Sequence, residues 1–319
     1  MKFRIAAIAA LLAIAGCSGA SGAAGGGLEK TNIVVDAFPA IDSAGLFIAQ
    51  MDGLFKQQGL NVTINLAQNS QEAITGQLSG KYDITSADYV TYVDNVLLKK
   101  APLRIIAESS FLQPNVLTLM VKAGSGVRSI TQLRHRVVSV NAPNDIGTLL
   151  IDSVLTQNGI SLSAVKFNNN VAFPVVGQDL ADGKVDAAFT PEPFVSLNEI
   201  KSGAQELADL DQGTTTNFPV QGVAVTQSWA RDNPNTLAAF ERAYSQGQQI
   251  ADTDRAAVEA AVEKFLQLPP LAASLISLPS FPIGVDSVRL QRLVDAMIRF
   301  GLLGKQYDSF KIATITGNG

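Results

Sequence analysis

Residues able to do covalent chemistry are scarce in this chain. One histidine, His135, and one cysteine, Cys17, occur in 319 residues. Cys–His catalysis needs both in one site, and zinc sites draw on several such ligands. His135 stands between Arg134 and Arg136 and reads as a solvated residue near a strand start. The chain has neither a Gly-x-Ser-x-Gly nucleophile elbow nor a Gly-x-x-x-x-Gly-Lys-[Ser/Thr] phosphate cradle. No metal and no cofactor is therefore expected. The chain offers recognition chemistry instead. Phe38, Tyr89, Phe111 and Phe194 could supply flat apolar walls, and Asn115, Asn141, Asn144, Thr190 and Glu192 polar contacts. Asp42, Ser43, Asp88 and Asp145 belong to the same short stretches, which contain no Lys or Arg. An oxyanion site often includes a basic side chain, because a bidentate Arg matches the oxygens. Its absence leans toward a neutral or amine-bearing ligand, with Glu192 accepting from an amino group and Tyr89 stacking on a ring.

Those stretches follow strand-like runs. Ile33–Val35, Val62–Leu66, Asp83–Thr85 and Leu103–Ala107 read as strands; Ser43–Gln57 and Gln71–Leu78 read as helices between them. Gly59 stands where a helix C-terminus accepts a residue without Cβ. The pattern restarts after Val116–Val121. Ser129-Ile130-Thr131-Gln132 resembles a capping box. Arg136–Val140 reads as a strand, Asp145–Gln157 as a helix and Val185–Phe189 as another strand. Val223–Val225 reads as a return strand. Such alternation implies a mainly parallel sheet with helices on both faces. In open α/β sheets ligands bind beyond the carboxyl ends of the strands, which selects the loops at 36–43, 86–89, 111–115, 141–145 and 190–194. The helix beginning near Asp145 would present free N–H groups to an anionic head. Plainer readings stand beside these: Asp42 and Asp145 as helix caps, Phe38 and Phe111 as core, Asn141 and Asn144 as turn residues, Glu192 in a salt bridge. After Trp229 the chain reads as mostly helical, over 236–252, 255–266 and 286–300.

Leu78-Ser79-Gly80-Lys81-Tyr82-Asp83-Ile84 is echoed by Ala181-Asp182-Gly183-Lys184-Val185-Asp186-Ala187. Both read as a helix end, Gly-Lys, any residue, Asp and a buried strand, which suggests two similar α/β units.

The N-terminus reads as a targeting signal over residues 1–16. Lys2 and Arg4 precede the apolar run Ile5–Ile14, and a membrane-crossing helix needs about 20 apolar residues. Ile14-Ala15-Gly16-Cys17 resembles a bacterial lipobox, with Ile14 where Leu is favoured. Cys17 would then carry a diacylglycerol, whose two acyl chains anchor stably. Ordinary secretory cleavage nearby, or an uncleaved anchor, is the plainer alternative. The Gly/Ser-rich stretch that follows, within residues 17–30, reads as a flexible tether. Without further cysteine, no disulfide holds the body. A net charge of −4 argues against nucleic acid as a partner.

Together these features resemble a known family. The export signal, the restarting βα halves and Thr190-Pro191-Glu192-Pro193-Phe194 are similar to solute-binding subunits of ABC importers for nitrate, aliphatic sulfonates, taurine and thiamin pyrimidine precursors. Gly53–Leu60, Ser86–Tyr89 and Phe218-Pro219-Val220-Gln221-Gly222 carry the same resemblance, which extends from about residue 31 to near the C-terminus. The resemblance implies an α/β type II periplasmic-binding-protein fold: two α/β domains joined by a two-strand hinge, with a helical C-terminal segment. Domain one would take 31–121 plus 220–319, and domain two 122–219, with hinges at 121–122 and 220–223. It also implies a monomer that closes on a small solute and docks on a membrane permease. Two other readings remain open: a ligand-sensing or protein-contacting surface lipoprotein without transport, and an enzyme resembling fungal pyrimidine-precursor synthases. The latter rely on histidines this chain lacks.

Overall fold

The computed structural model describes residues 27–316, so the signal segment, Cys17 and most of the tether lie outside the described residues. In chain order, β1 (Asn32–Ala37) leads through a 3-10 turn (Ile41–Ser43) into α1 (Ala44–Met51) and α2 (Leu54–Gln57). Then come β2 (Asn61–Leu66), α3 (Ser70–Leu78), β3 (Ile84–Asp88), α4 (Tyr89–Leu97) and β4 (Leu103–Phe111). β5 (Leu117–Val121) precedes β6 (Val137–Ser139), α5 (Ile146–Gln157), β7 (Lys166–Asn168) and α6 (Phe173–Ala181). β8 (Ala187–Pro191), α7 (Phe194–Ser202), β9 (Gln205–Asp209) and β10 (Pro219–Thr226) follow. The chain ends in α8 (Gln227–Asp232), α9 (Pro234–Thr253), α10 (Arg255–Leu266), α11 (Pro270–Leu275), α12 (Ser287–Arg299) and α13 (Ala313–Thr316).

The strands form two five-stranded sheets, ordered β2-β1-β3-β10-β4 and β7-β6-β8-β5-β9. Each has one strand that pairs antiparallel with both neighbours, β10 in the first and β5 in the second. The two orders are the same pattern used twice. The Gly-Lys-x-Asp echo marks equivalent places in it. The Asp83 carboxylate accepts from the Val34 N–H at 2.9 Å, and the Asp83 N–H returns a bond to the Val34 carbonyl. Asp186 does the same with Val137. Each Asp is also paired with a cation, Asp83 with Lys30 and Asp186 with Arg136. The motif is therefore a clamp that docks the third strand of each unit onto its first.

The sheets divide the chain at a different point from the expected one. Leu117–Val121 pairs with β8 and β9, so it belongs to the second sheet rather than ending the first unit. Passage between units occurs at 112–116 and 210–218, where the Leu112 N–H donates to the Phe218 carbonyl at 2.8 Å. The expected helix Ser43–Gln57 is two helices, because Gly53 turns left-handed at φ 70° between them. The body also begins before the expected end of the tether: the Glu29 carboxylate accepts from the Asn235 and Thr236 N–H groups at the start of α9.

The C-terminal helices complete the first unit. α9 lies on α1, and the close approach is made at glycines. A Cβ on Gly247 would sit 2.1 Å from the Gly45 carbonyl oxygen. Such a clash is relieved only by moving a helix, at about 1–3 kcal/mol. Gly247→Ala is expected to lower the melting temperature by roughly 4–8 °C for a cost near 2 kcal/mol, measured by thermal denaturation. An unchanged transition would show that α1 and α9 are not packed this closely.

A cleft of carboxylates and aromatic rings

Strand ends from both units meet around one narrow cavity. The first unit supplies Phe38 and Asp42 beyond β1, Ser70 beyond β2, Asp88 at the tip of β3, and Val220 and Gln221 from β10. The second supplies Leu117 from β5, Asn141, Asp145 and Ile146 beyond β6, Phe173 beyond β7, and Phe189 and Pro191 from β8. The walls are aromatic. Phe38 meets Phe173 edge-on across the cleft with centroids 5.7 Å apart, and Phe173 packs on Phe189 at 5.9 Å. The units also bond directly: the Asn141 amide donates to the Gln68 carbonyl, and the Ile41 N–H to the Glu192 carbonyl at 3.1 Å.

The polar lining is acidic. Asp88 caps α4, one carboxylate oxygen accepting from the Thr91 N–H at 2.9 Å and the other from its hydroxyl at 2.6 Å. Asp145 caps α5, and its Oδ1 accepts from the Thr148 N–H at 3.0 Å and from its hydroxyl at 3.3 Å. Asp42 does not cap α1; it accepts from the Ser110 hydroxyl. Burial raises all three carboxyls above their usual range. Asp145 is pushed up to about 7, by burial first and by the charge of Asp88 second. No Lys or Arg lines the cavity. Among the described residues none of the three carboxylates has an ion-pair partner.

Five residues selected from the sequence line this cavity: Phe38, Asp42, Asp88, Asn141 and Asp145. Ser43 lies just behind it, donating to the Phe38 carbonyl and accepting from the Gln221 amide, which also donates to Ser86. The others do different work. Tyr89 is fully buried on α4, its ring where a Cβ of Gly222 would fall, so it cannot stack on a ligand. Phe111 lies beneath the Arg289 guanidinium, 4.6 Å from its ring centre, and its backbone bridges to Ser280. Asn115 and Asn144 are exposed turn residues with φ of 66° and 56°. The Thr190 hydroxyl is turned back to the Ala188 carbonyl. Phe194 packs on Phe173 at 5.8 Å. Glu192 does not line the cavity and, among the described residues, makes no salt bridge. Its carboxylate accepts from the Ser196 hydroxyl and N–H and, at 2.9 Å, from the Ser277 N–H of the C-terminal segment. Burial pushes its carboxyl up to about 7. The free N–H groups expected at α5 are partly taken, since Asp145 occupies them.

Of the residues the sequence reading passed over, Ser70 and Gln221 were accessible to it. Ser70 follows β2 just as Asp42 follows β1, and Gln221 lies in Phe218–Gly222. Leu117, Ile146, Phe173, Phe189, Pro191 and Val220 carry no signal that separates a wall from a core. Among the described residues no helix is long and apolar enough to cross a membrane, and no group of three His, Cys, Asp or Glu is placed to hold a metal.

Two mixed α/β sheets with helices, joined by paired crossing segments around a cleft, define a type II periplasmic-binding-protein fold. The NMT1/THI5 like family model matches residues 40–255, and the chain belongs to that family. The same fold is seen in the alkanesulfonate-binding protein SsuA from Xanthomonas axonopodis pv. citri bound to MOPS, at TM-score 0.74 and 16% identity, covering 88% of this chain and 96% of that one. The periplasmic nitrate-binding protein NrtA from Synechocystis PCC 6803 matches at TM-score 0.75 and 14% identity, with 89% and 85% covered. The Bacillus subtilis protein YtlA is 21% identical over 250 residues, 73% of this chain and 74% of its own length. The Synechocystis nitrate import ATP-binding protein NrtC is 22% identical over 260 residues, 76% of this chain, and the chain spans 38% of its length. The fold also carries the desulfurization enzyme DSZB, at TM-score 0.66 and 13% identity over 86% of this chain and 94% of that one. Likeness at these identities describes shape and leaves chemistry to the site.

The raised carboxyl of Asp145 sets the sign of a pH effect. Folding favours its neutral form, so its contribution is complete below about pH 4 and is lost as pH rises through about 7. Asp145→Asn keeps an acceptor for the cap and removes the charge. The variant is expected to melt higher than the native chain at about pH 8 and level with it near pH 4, by scanning calorimetry across that range. Equal melting at both ends would mean the carboxyl is not buried against Asp88.

Proposed function

We propose that this chain is the solute-binding subunit of an ABC importer, working outside the cytoplasmic membrane and handing a small organic nutrient to a permease. The observation that carries this reading is the cavity lined from both units, with the chain crossing between them twice. Such a site can open and shut by rotation about the crossing segments, and the closed form presents a distinct surface to a partner. Its lining suits binding: rings, carboxylates, amides and a hydroxyl, without a histidine, a cysteine or a lysine. His135 is exposed at a left-handed turn, φ 63°, and contributes nothing to the cleft. An enzyme of the synthase kind would need groups that the lining does not supply. The binding proteins among the similar structures and relatives support the transport reading over that of a sensor without transport, and a lipid on Cys17 would keep the body near its permease.

Two outcomes follow. In a thermal-shift screen of sulfonates, nitrate, pyrimidines and amines, a cleft ligand raises the melting temperature because it binds only the folded state. Phe173→Ala, which removes a wall shared with Phe38 and Phe189, should weaken that ligand by about 2 kcal/mol, roughly 30-fold. A ligand whose affinity ignores Phe173 binds elsewhere and counts against the cleft. Cys17→Ser should move the protein from the membrane fraction to the soluble exported fraction; continued membrane association would sink the lipid anchor.

A further inference from the structure

We propose that the cleft is built for a small organic cation, a protonated amine or amidine on an apolar body, with Asp88 and Asp145 closing on it from opposite units. This rests on the reading of the cleft as a solute site and narrows it.

Asp42, Asp88 and Asp145 are each more than nine-tenths buried, and all three line the one cavity shared by both units. Carboxylates so placed are costly unless paired with a cation or hydrogen-bonded on every lone pair. Here the donors they receive are neutral: the Thr91 and Thr148 hydroxyls and N–H groups, and the Ser110 hydroxyl. Those bonds engage Oδ1 of Asp145 and Oδ1 of Asp42; among the described residues no other residue donates to the second oxygen of either carboxylate, and both side chains line the cavity. A ligand N–H is the donor missing from this arrangement.

The same geometry turns away an oxyanion. Helix N-termini hold anions through free N–H groups, yet at α4 and α5 the Thr91 and Thr148 N–H groups are taken by Asp88 and Asp145, whose carboxyls stand at those helix starts. No Arg or Lys lines the cavity to replace them. An anion would enter against three carboxylates, and like charges at buried positions repel strongly. The faces of Phe38, Phe173 and Phe189 suit the apolar body of a cation and add ring–cation attraction.

Three probes of one shape separate the possibilities: benzamidine, benzamide and benzenesulfonate, titrated calorimetrically into the full-length protein at about pH 8. Benzamidine should bind at least about 100-fold more tightly than either of the others. Asp145→Asn and Asp88→Asn should each weaken it by about 10-fold or more. Circular dichroism should show melting no lower than that of the native chain, which separates lost binding from lost folding. Benzenesulfonate binding as tightly as benzamidine, and lost in Phe173→Ala, overturns the cation assignment while solute capture in the cleft stands. Benzamidine binding that ignores both Asp variants overturns the role of these carboxylates. Failure of all three probes to bind overturns the cation assignment and counts against the cleft itself.

Discussion

Two buried carboxylates lining one cleft from opposite units are the constraint from which the rest of this molecule can be understood. Asp88 and Asp145 cap helices in different units, and each helix needs its cap to satisfy an N-terminal N–H. Each helix start needs an acceptor, and using a carboxylate for both caps brings two acidic groups into one cleft. Burial and mutual repulsion then favour a proton on the pair, and Asp145 is held up to about 7. Among the described residues no cation pairs with the cleft carboxylates. A ligand that brings a positive group relieves that tension, and one that does not must bind by its apolar body alone.

The duplicated architecture explains how the charges came to face each other. The Asp83 and Asp186 clamps fix equivalent strand pairs in the two units. Beyond the first strand of each pair come Asp42 and Asp145; at or just beyond the third come Asp88 and Glu192. Three of these four carboxylates line the cleft. The fourth, Glu192, is drawn away to the Ser277 N–H, and so ties the second unit to the C-terminal segment. That segment, through α9 on α1, belongs to the first unit. Equivalent positions thus serve recognition in three cases and a cross-connection in one.

Much of this was legible in the residues. Strand and helix order followed from periodicity, the clamp from a repeated Gly-Lys-x-Asp, and the absence of basic side chains from simple inspection of the loops. Three things were hidden. Leu117–Val121 reads as the end of one unit, because an apolar strand looks the same whichever sheet it joins; only hydrogen bonding to β8 and β9 assigns it. Tyr89 looks like a binding aromatic, yet α4 turns it into the core against Gly222. Phe173 and Phe189 look like core and form the wall. Residue type records that a ring is buried, and only the meeting of two units decides whether it is buried against protein or against a ligand.

A cation entering the cleft should displace a proton held by its carboxyls. The direct measurement is the proton count on binding: benzamidine titrated into the full-length protein at about pH 7 in two buffers of different ionisation enthalpy. Release of protons to buffer, lost in Asp145→Asn, is the predicted result. Binding with no proton release, or with proton uptake, would contradict it.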